Sequence, residues 1–244
     1  MCGRYTSTST LSDLAEVFEV DEIRTEPLPA RYNVAPTLDV YAVALRGRQD
    51  LEKGPRRALG TFRWGLVPSW AQDPSVGSRM INARAESVAS KPAFRAALAR
   101  RRCLIPADAF YEWQRRPEGG KLAHAIRRRD RQPMAFAGLW EVWRDPARAA
   151  GAEPVLLRTC AIVTTRANEL MAPIHDRIPV VLDRSDWAAW LDPDTGPGEA
   201  RQLLQTPPSE WFEVYPVGSL VNSVRNDGPE LLDPLPFPPS TVTS

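Results

Sequence analysis

The first residue able to do chemistry is the cysteine that follows the initiator methionine. Methionine aminopeptidases remove Met1 when the next residue is small, which leaves Cys2 with a free α-amine beside its thiol. The pKa of an α-amine is about 8 and that of a free thiol about 8.5, so both groups are partly in their reactive forms near neutral pH. We expect the nearby Arg4 to lower the pKa of the Cys2 thiol further. An exposed 1,2-aminothiol condenses with an aldehyde to an imine, which the thiol closes to a thiazolidine. The alternative is that Cys2 is incidental in a frayed terminus.

A second group of polar side chains lies in the segment INARAE. Asn82, Arg84 and Glu86 alternate with apolar residues, so an extended backbone presents all three on one face. An amide and a guanidinium side by side suit a phosphate or a sugar. A plain surface strand is the competing interpretation.

A carboxylate with a special environment is predicted in the segment FYEWQ. On a strand, Glu112 shares a face with Phe110 and Gln114, so we expect its carboxyl to be desolvated. Desolvation raises a carboxyl pKa toward the range that is useful for acid/base work. An ion pair at a strand edge is the alternative.

A histidine precedes an acid and a base in the segment IHDRIP, just before a predicted strand. The Asp176 carboxylate or another acceptor is expected to fix the tautomer of His175. A lone histidine is more often structural than catalytic, but the chain has only one other, His124.

The surrounding elements are mainly strands. Leucine, alanine and phenylalanine at helical spacing predict a helix over 11–19, with Ser9 or Thr10 as its cap. Strands are predicted over 39–46, 102–106, 109–114, 122–127, 134–140, 156–165, 178–182 and 212–217, and helices over 93–101, 185–191 and 199–206. Because the helices do not alternate regularly with the strands, we expect a single α+β domain around a curved, barrel-like, mainly antiparallel sheet with flanking helices.

The loops and the C-terminus are marked by proline and glycine. Loops are predicted at 115–120, 145–154 and 192–198, and none has the length of a domain linker. The chain after Asp227 is expected to be extended or disordered, because four prolines lie between Pro234 and Pro239. We therefore divide the sequence into a domain over 1–232 and a proline-rich, disordered tail over 233–244.

Composition argues against several classes of protein. Three cysteines at wide spacing disfavour a disulfide framework and a zinc site, and two histidines without a metal-binding motif predict no metal and no cofactor. The sequence has neither a secretory signal nor an apolar run long enough to span a membrane. A soluble, cytoplasmic protein with no membrane partner is expected.

Charge is concentrated in one part of the chain. The formal net charge is +1, but residues 79–131 contain fourteen Arg or Lys and five Asp or Glu. Clustered cations favour phosphate binding through counterion release. The alternative is that genome composition produces the arginines and that Arg100, Arg101 and Arg102 are the solvated end of a helix.

Several segments together resemble the SRAP (SOS response-associated peptidase) family. They are MCGRY, RYNVAP, WGLVPSW, INARAE, CLIPADAFYEW, AIVTTRAN, IHDRIPVVL and VNSVRNDGPEL, in the family's order, and they run from Cys2 to about Leu232. The resemblance implies a single α+β domain that binds single-stranded DNA and traps abasic sites through its N-terminal cysteine, acting near the nucleoid when bound to DNA.

The resemblance also implies roles for individual residues. Cys2 matches the covalent residue, Asn82 and Arg84 match the groups that hold the abasic sugar and its flanking phosphate, and Glu112 and His175 match a proton-transfer pair. The DNA-binding positions that match are Arg4, Asn33, Trp70, Arg84, Asn222 and Arg225. Trp70 is expected to stack on a base beside the lesion. At Ala71 some members carry a second tryptophan, which puts a preference for strand junctions in doubt.

Two other functions fit the same residues. In a cysteine peptidase, Cys2 is the nucleophile, His175 the base and Asn82 an oxyanion donor. In a non-covalent binder of single-stranded DNA, the basic segment 79–131 provides the contacts and Cys2 is dispensable. For each function we expect a monomer.

Overall fold

The computed structural model describes residues 2–46, 54–146 and 156–236. The strands are β1 (Tyr5–Ser7), β2 (Glu22–Ile23), β3 (Arg31–Val34), β4 (Asp39–Arg46), β5 (Arg56–Trp64), β6 (Asn82–Arg84), β7 (Arg102–Ala107), β8 (Ala109–Arg115), β9 (Lys121–Arg128), β10 (Met134–Arg144), β11 (Leu156–Arg166), β12 (Arg177–Pro179) and β13 (Phe212–Pro216). The α-helices are α1 (Leu11–Val17), α2 (Pro92–Arg100), α3 (Trp187–Leu191) and α4 (Pro197–Gln202). Short 3₁₀ helices cover Pro74–Arg79, Arg184–Asp186, Ser209–Trp211, Ser219–Asn222 and Pro229–Leu232.

Five strands form a closed barrel in the order β5, β4, β7, β10 and β11. Antiparallel pairs join them around the ring, and a short parallel pairing between β11 and β5 closes it at Thr159–Arg63 and Cys160–Trp64. Beside β11, the strands β6 and β12 extend the sheet, and β2 lies parallel to β5. The expected α+β architecture around a mainly antiparallel barrel is therefore confirmed.

A second sheet lies across the barrel, in the order β13, β9, β8, β1 and β3, and is antiparallel throughout. Its inner face packs on the interior of the barrel. Tyr5 contacts Trp64 edge-on, with ring centroids 5.2 Å apart, and Phe110 contacts Phe136 in the same way at 6.0 Å. This shared core places the N-terminal strand directly against the barrel.

The helices cover the outer face of the barrel. At the start of α1, the Thr10 hydroxyl accepts a hydrogen bond from the Asp13 amide (3.1 Å), and the Asp13 carboxylate binds back to Thr10. This capping box fixes the start of the helix. Just beyond α1, the buried Phe18 ring stacks on Trp187 at 4.8 Å, which joins α1 to α3.

The predicted elements agree with the observed ones where a residue pattern was strong. All eight predicted strands and all four predicted helices exist, with boundaries that differ by a few residues. The strands β1, β2, β3 and β5 were not predicted. In β5 the sequence RRALGTFRW breaks the apolar alternation with Gly60 and Thr61, although every second side chain from Ala58 to Trp64 faces the barrel interior.

The prediction that the chain is extended or disordered after Asp227 is wrong as far as Pro234. Residues 229–232 form a 3₁₀ helix with Leu231 buried, and Pro234 bridges to Val217. The Leu235 amide also donates to the Pro216 carbonyl at 2.9 Å. Leu231 packs with apolar residues of the second sheet, and this burial offsets the conformational entropy that the segment loses when it becomes ordered. Residues 237–244 of the tail proposed over 233–244, and residues 147–154 of the loop predicted at 145–154, lie outside the described residues, and the division at residue 232 stays a prediction.

No helix among the described residues is long and apolar enough to cross a membrane.

Candidate active site

Cys2 lies inside the protein rather than at an exposed terminus. Its side chain is 0% exposed and packs in the core that the barrel shares with the second sheet. Burial raises the pKa of the Cys2 thiol well above its ordinary range, and the nearby Glu112 charge adds to the rise. The expectations of an exposed Cys2 and of a thiol pKa lowered by Arg4 are therefore both wrong. The resting thiol is protonated and needs a base before it can attack.

The main chain of Cys2 is held by Asn82. The Asn82 Nδ2 donates a hydrogen bond of 2.8 Å to the carbonyl oxygen of Cys2. Asn82 begins β6, which runs parallel to β11, and the preceding Ile81 carbonyl accepts a hydrogen bond from the indole of Trp64 at 3.0 Å. The Asn82 Oδ1 is buried and has no hydrogen-bond partner in the described part of the chain. This oxygen is available to a hydroxyl group of a bound molecule.

Glu112 is the buried carboxylate of the site. It lies on β8, where its side chain is 2% exposed on the same face as Phe110, as the alternation predicts. Burial raises the pKa of the Glu112 carboxyl, and the nearby His175 acts in the opposite direction. A carboxyl whose pKa is raised by burial is better suited to general acid catalysis than an ordinary glutamate. The structure thus brings Cys2, Asn82, Glu112 and His175 together from four separate segments.

His175 Nδ1 has a main-chain donor beside it as well as the Asp176 carboxylate that we expected. The main-chain N–H of Arg177 donates to His175 Nδ1 at 2.9 Å, which assigns the proton of the neutral ring to Nε2. Asp176 Oδ1 lies 3.0 Å from the same Nδ1, but its side chain is 86% exposed. The loop that carries His175 is tied to β8 by Gln114, whose Nε2 donates to the Pro173 carbonyl at 3.1 Å.

Glu86 does not belong to this group of side chains. The strand predicted for INARAE ends at Arg84, and Glu86 follows in a turn, where it binds Arg177 through two hydrogen bonds of 2.6 and 2.9 Å. Arg177 is buried and also donates to the Thr164 carbonyl. The side-chain hydrogen bond from Arg177 lowers the pKa of Glu86. This ion pair holds the INARAE and IHDRIP segments next to each other.

Arg4 points away from the Cys2 thiol, toward the C-terminal part of the domain. Its Nη1 donates to Asn33 Oδ1 at 2.8 Å and to the Val221 carbonyl at 3.0 Å, and its guanidinium lies over the Trp113 ring at 5.8 Å. Partial burial lowers the Arg4 pKa. The orientation of Arg4 is therefore set by protein contacts.

Asn33 is buried, which disagrees with its assignment as a DNA contact. Its side chain is part of the core, where Oδ1 accepts from Arg4 and Nδ2 donates to the carbonyls of Val221, Ser223 and Asn226. All of its polar atoms thus bind protein. The physical role that these contacts give Asn33 is to position Arg4 and the segment 221–226.

Two residues that the sequence did not single out hold the same segment. Asp227 Oδ1 accepts the main-chain N–H of Asn33 at 3.0 Å, and Trp113 Nε1 donates to Asn222 Oδ1 at 2.7 Å. Both residues lie within segments that carry the family resemblance, which was the available signal. Asn222 and Arg225 are exposed on this segment.

Trp70 stands at the tip of a loop that two glycines hold against the barrel. Gly65 has a φ of 129°, and a Cβ there would lie 2.6 Å from the Gly77 oxygen, so only glycine fits this crossing. The Trp70 side chain is 62% exposed. Its neighbour Ala71 is buried, and the Ala71 carbonyl accepts from the Trp143 indole at 2.7 Å. A second aromatic ring at position 71 would have to displace this packing.

The basic segment 79–131 does not form one cationic face. Arg102 is 2% exposed and donates to the main-chain carbonyls of Leu98, Trp190, Asp192 and Thr195, so it is not part of a solvated helix end. Arg127 and Arg128 form ion pairs with Glu213 and Asp130. Arg84, in contrast, is exposed beside Asn82 and has no ion-pair partner among the described residues.

Comparison with known proteins identifies the family of the chain. The family "SOS response associated peptidase (SRAP)" matches residues 1–224. The abasic site processing protein YoqW of Bacillus subtilis (strain 168) is 42% identical over 235 residues, which cover 96% of this chain and 99% of that protein. The abasic site processing protein HMCES of Gallus gallus is 35% identical over 212 residues, which cover 77% of this chain and 60% of that protein.

A crystal structure of a protein from Bacteroides thetaiotaomicron has the same fold. Its TM-score is 0.81 at 20% identity, with 96% of this chain and all of that chain covered. From the match over residues 1–224 and the identity to YoqW, the chain belongs to the SRAP family.

Proposed function

We propose that this protein processes abasic sites in single-stranded DNA by forming a covalent bond between Cys2 and the sugar aldehyde. The observation that carries the proposal is the convergence of Asn82, Glu112 and His175 on a cysteine that can become the N-terminal residue. Relatives over nearly the whole chain are named abasic site processing proteins, which supports the substrate.

The proposed reaction joins the two nucleophiles of Cys2 to one carbon. After Met1 is removed, the Cys2 amine adds to the C1′ aldehyde of the ring-opened sugar, and the carbinolamine loses water to give an imine. The thiol then adds across the C=N bond, its sulfur to carbon and its proton to nitrogen, which forms the thiazolidine. One water leaves for each adduct, and the protein reacts with itself rather than turning over.

The neighbouring groups have separate tasks in this scheme. Glu112 donates a proton to the departing hydroxyl and receives the proton of the buried thiol, for which its raised pKa is suited. His175 moves the proton of the sugar hydroxyl as the ring opens. Asn82 orients the main chain of Cys2 and offers its Oδ1 to the sugar. The same groups run the reverse reaction.

The DNA-binding part of the proposal rests on exposed side chains around the site. Trp70 provides a ring for base stacking, and Arg84 and Arg225 provide cations for phosphates. Asn222 is exposed on the same segment as Arg225 and is held by Trp113. Arg4 and Asn33 act on DNA indirectly, by holding that segment in place. A monomer is sufficient for this chemistry.

Intact mass spectrometry tests the covalent step. The protein is mixed with a uracil-containing single-stranded oligonucleotide that uracil glycosylase has treated. We expect a heat-stable species with the mass of the protein without Met1, plus the oligonucleotide, minus one water. The untreated oligonucleotide and the Cys2→Ala variant are the controls. No adduct from a chain that has lost Met1 would overturn the proposal.

The Cys2→Ser variant separates the two bonds of the adduct. Serine retains the amine, so an imine that borohydride traps is expected, but the heat-stable product is lost because a hydroxyl does not replace the thiol. The same incubations are examined for peptide products, which a peptidase would release. Peptide turnover without any DNA adduct would identify Cys2 as a peptidase nucleophile instead.

A further inference from the structure

A cavity of about 380 Å³ opens at one end of the barrel. Its apolar wall comes from inward-facing side chains of three barrel strands. These are Ala44 on β4, Ala58 and Phe62 on β5, and Trp140 and Val142 on β10, and Arg158 on β11 completes the ring. A volume of this size is within the range of small-molecule sites, and the mouth of a barrel is a common place for them.

The cavity exists because the paired strands β4 and β5 carry small residues at inward-facing positions, where larger side chains would fill the barrel interior. Ala44 lies opposite Ala58, and Ala42 lies opposite Gly60. A Cβ built on Gly60 would meet only Phe62 Cε2, at 3.7 Å, so space rather than a backbone contact lies above this residue. The Phe62 and Trp140 rings meet edge-on, with ring centroids 5.8 Å apart and an interplanar angle of 65°, and form an aromatic corner of the cavity.

The rim of the cavity is strongly basic. Arg24, Arg46 and Arg158 line it, and no acidic residue is among the described lining residues. Arg46 lies directly opposite Arg56 in the β4–β5 pair, and like charges in this position repel. Arg24 binds Glu22 at 2.9 Å, whereas Arg46, Arg56 and Arg158 have no ion-pair partner in the described part of the chain. A bound anion would relieve this repulsion.

The cavity is separate from the Cys2 site. Gly60 lies in the middle of β5, whereas Trp64, at the end of the same strand, contacts the segment that carries Asn82. The four residues from Gly60 to Trp64 span roughly 13 Å of extended chain. The buried Phe62 and Trp64 side chains fill the barrel interior between the cavity and the Cys2 site. Changes at the cavity therefore leave Cys2, Asn82 and Glu112 in place.

We propose that the barrel mouth binds a phosphate monoester attached to a flat aromatic ring, the chemistry of a nucleoside monophosphate. The ring lies against the Trp140 indole with Phe62 at its edge, and the phosphate is held by Arg46 and Arg158. The guanidinium fork matches phosphate oxygens through paired hydrogen bonds, and an indole face favours a planar ring. The site is independent of the covalent chemistry proposed for Cys2.

The test is titration calorimetry of the full chain with AMP, adenosine and inorganic phosphate as probes. We expect AMP to bind with at least about tenfold higher affinity than either part alone, because both halves of the cavity contribute. The Gly60→Val variant fills the cavity without a backbone clash and is expected to abolish binding. Arg158→Gln should weaken the affinity for AMP about tenfold. Arg95→Gln is the matched control, because it removes the same charge at an exposed position on α2 outside the cavity and should leave the affinity unchanged.

DNA crosslinking serves as the folding control, because none of these variants touches the Cys2 site. The proposal is supported if Gly60→Val loses AMP binding but retains crosslinking at the wild-type rate. It is overturned if AMP does not bind at millimolar concentration, if inorganic phosphate binds as tightly as AMP, or if Gly60→Val binds AMP unchanged.

Discussion

The side-chain amide of Asn82 holds the main-chain carbonyl oxygen of Cys2 through a hydrogen bond of 2.8 Å, across 80 residues of sequence. This contact holds Cys2 in the core that the barrel shares with the second sheet, close enough to Glu112 for that charge to raise the pKa of the Cys2 thiol. A terminal residue would otherwise sample many orientations, and most of them do not bring both nucleophiles to one carbon. The anchor therefore makes a two-bond reaction at a chain end feasible.

Loss of this anchor is expected to slow crosslinking. Asn82→Asp keeps the side-chain shape but has no N–H to donate, and its charge repels the Cys2 carbonyl. We expect the rate of adduct formation, measured on denaturing gels over time, to fall about tenfold, which corresponds to roughly 1–1.5 kcal/mol. Asn82→Ala, which also lacks the N–H donor, should slow adduct formation to a similar extent. If Asn82→Asp reacts at the wild-type rate, the anchor has no role in the reaction.

Replacing Glu112 removes the proposed proton carrier. Glu112→Gln is expected to slow both formation and reversal of the adduct by about 10²-fold, since general acid–base catalysis contributes about 10² to 10⁴. Glu118→Gln is a matched control, because Glu118 lies in the β8–β9 hairpin and is mostly exposed. Single-turnover kinetics with both variants measure the effect. Equal rates for Glu112→Gln and the wild type would remove Glu112 from the mechanism.

The raised pKa of Glu112 also has a consequence for stability. The folded protein holds a proton on this carboxyl at pH values where the unfolded chain has lost it, so the contribution of Glu112 to stability declines as pH rises through the folded pKa. Melting temperatures of the wild type and Glu112→Gln, measured from about pH 4 to about pH 8, should diverge in favour of Gln as pH rises. A constant difference would mean that burial does not raise this pKa.

Two asparagines near the same segment should differ in their effect on stability. Asn33→Ala removes the buried hydrogen bonds to Arg4 and to three main-chain carbonyls and is expected to cost about 3 kcal/mol, or roughly 6–12 °C in Tm. The exposed Asn222→Ala should change stability by less than about 0.5 kcal/mol. Thermal unfolding of both variants is the measurement. A similar loss for the two variants would contradict the buried role of Asn33.

The exposed indole of Trp70 is expected to act in DNA binding and not in folding. Trp70→Ala should weaken binding of single-stranded DNA by about 1–3 kcal/mol and leave the melting temperature unchanged. Leu156→Ala is a control at a side chain that is 50% exposed. Fluorescence anisotropy with a labelled oligonucleotide reports the affinity. If Trp70→Ala and Leu156→Ala bind DNA equally well, the loop does not stack on bases.

The sequence by itself determined the fold class, most of the elements and the identity of the candidate residues. Alternation along FYEWQ placed Glu112 on the buried face of a strand, and the helical spacing after Thr10 located α1. Local patterns suffice for such features, because side-chain direction repeats with a fixed period along a strand or helix. Family motifs then selected which polar residues belong to one site.

Only the tertiary structure decided how those residues meet. The burial of the Cys2 thiol, the use of Asn33 as a buried clamp and the pairing of Glu86 with Arg177 all depend on contacts between distant segments. The cavity at the barrel mouth likewise follows from closure of the barrel, which joins β5 to β11 across about a hundred residues of sequence. Burial and electrostatic environment are properties of packing in three dimensions, so no local pattern encodes them.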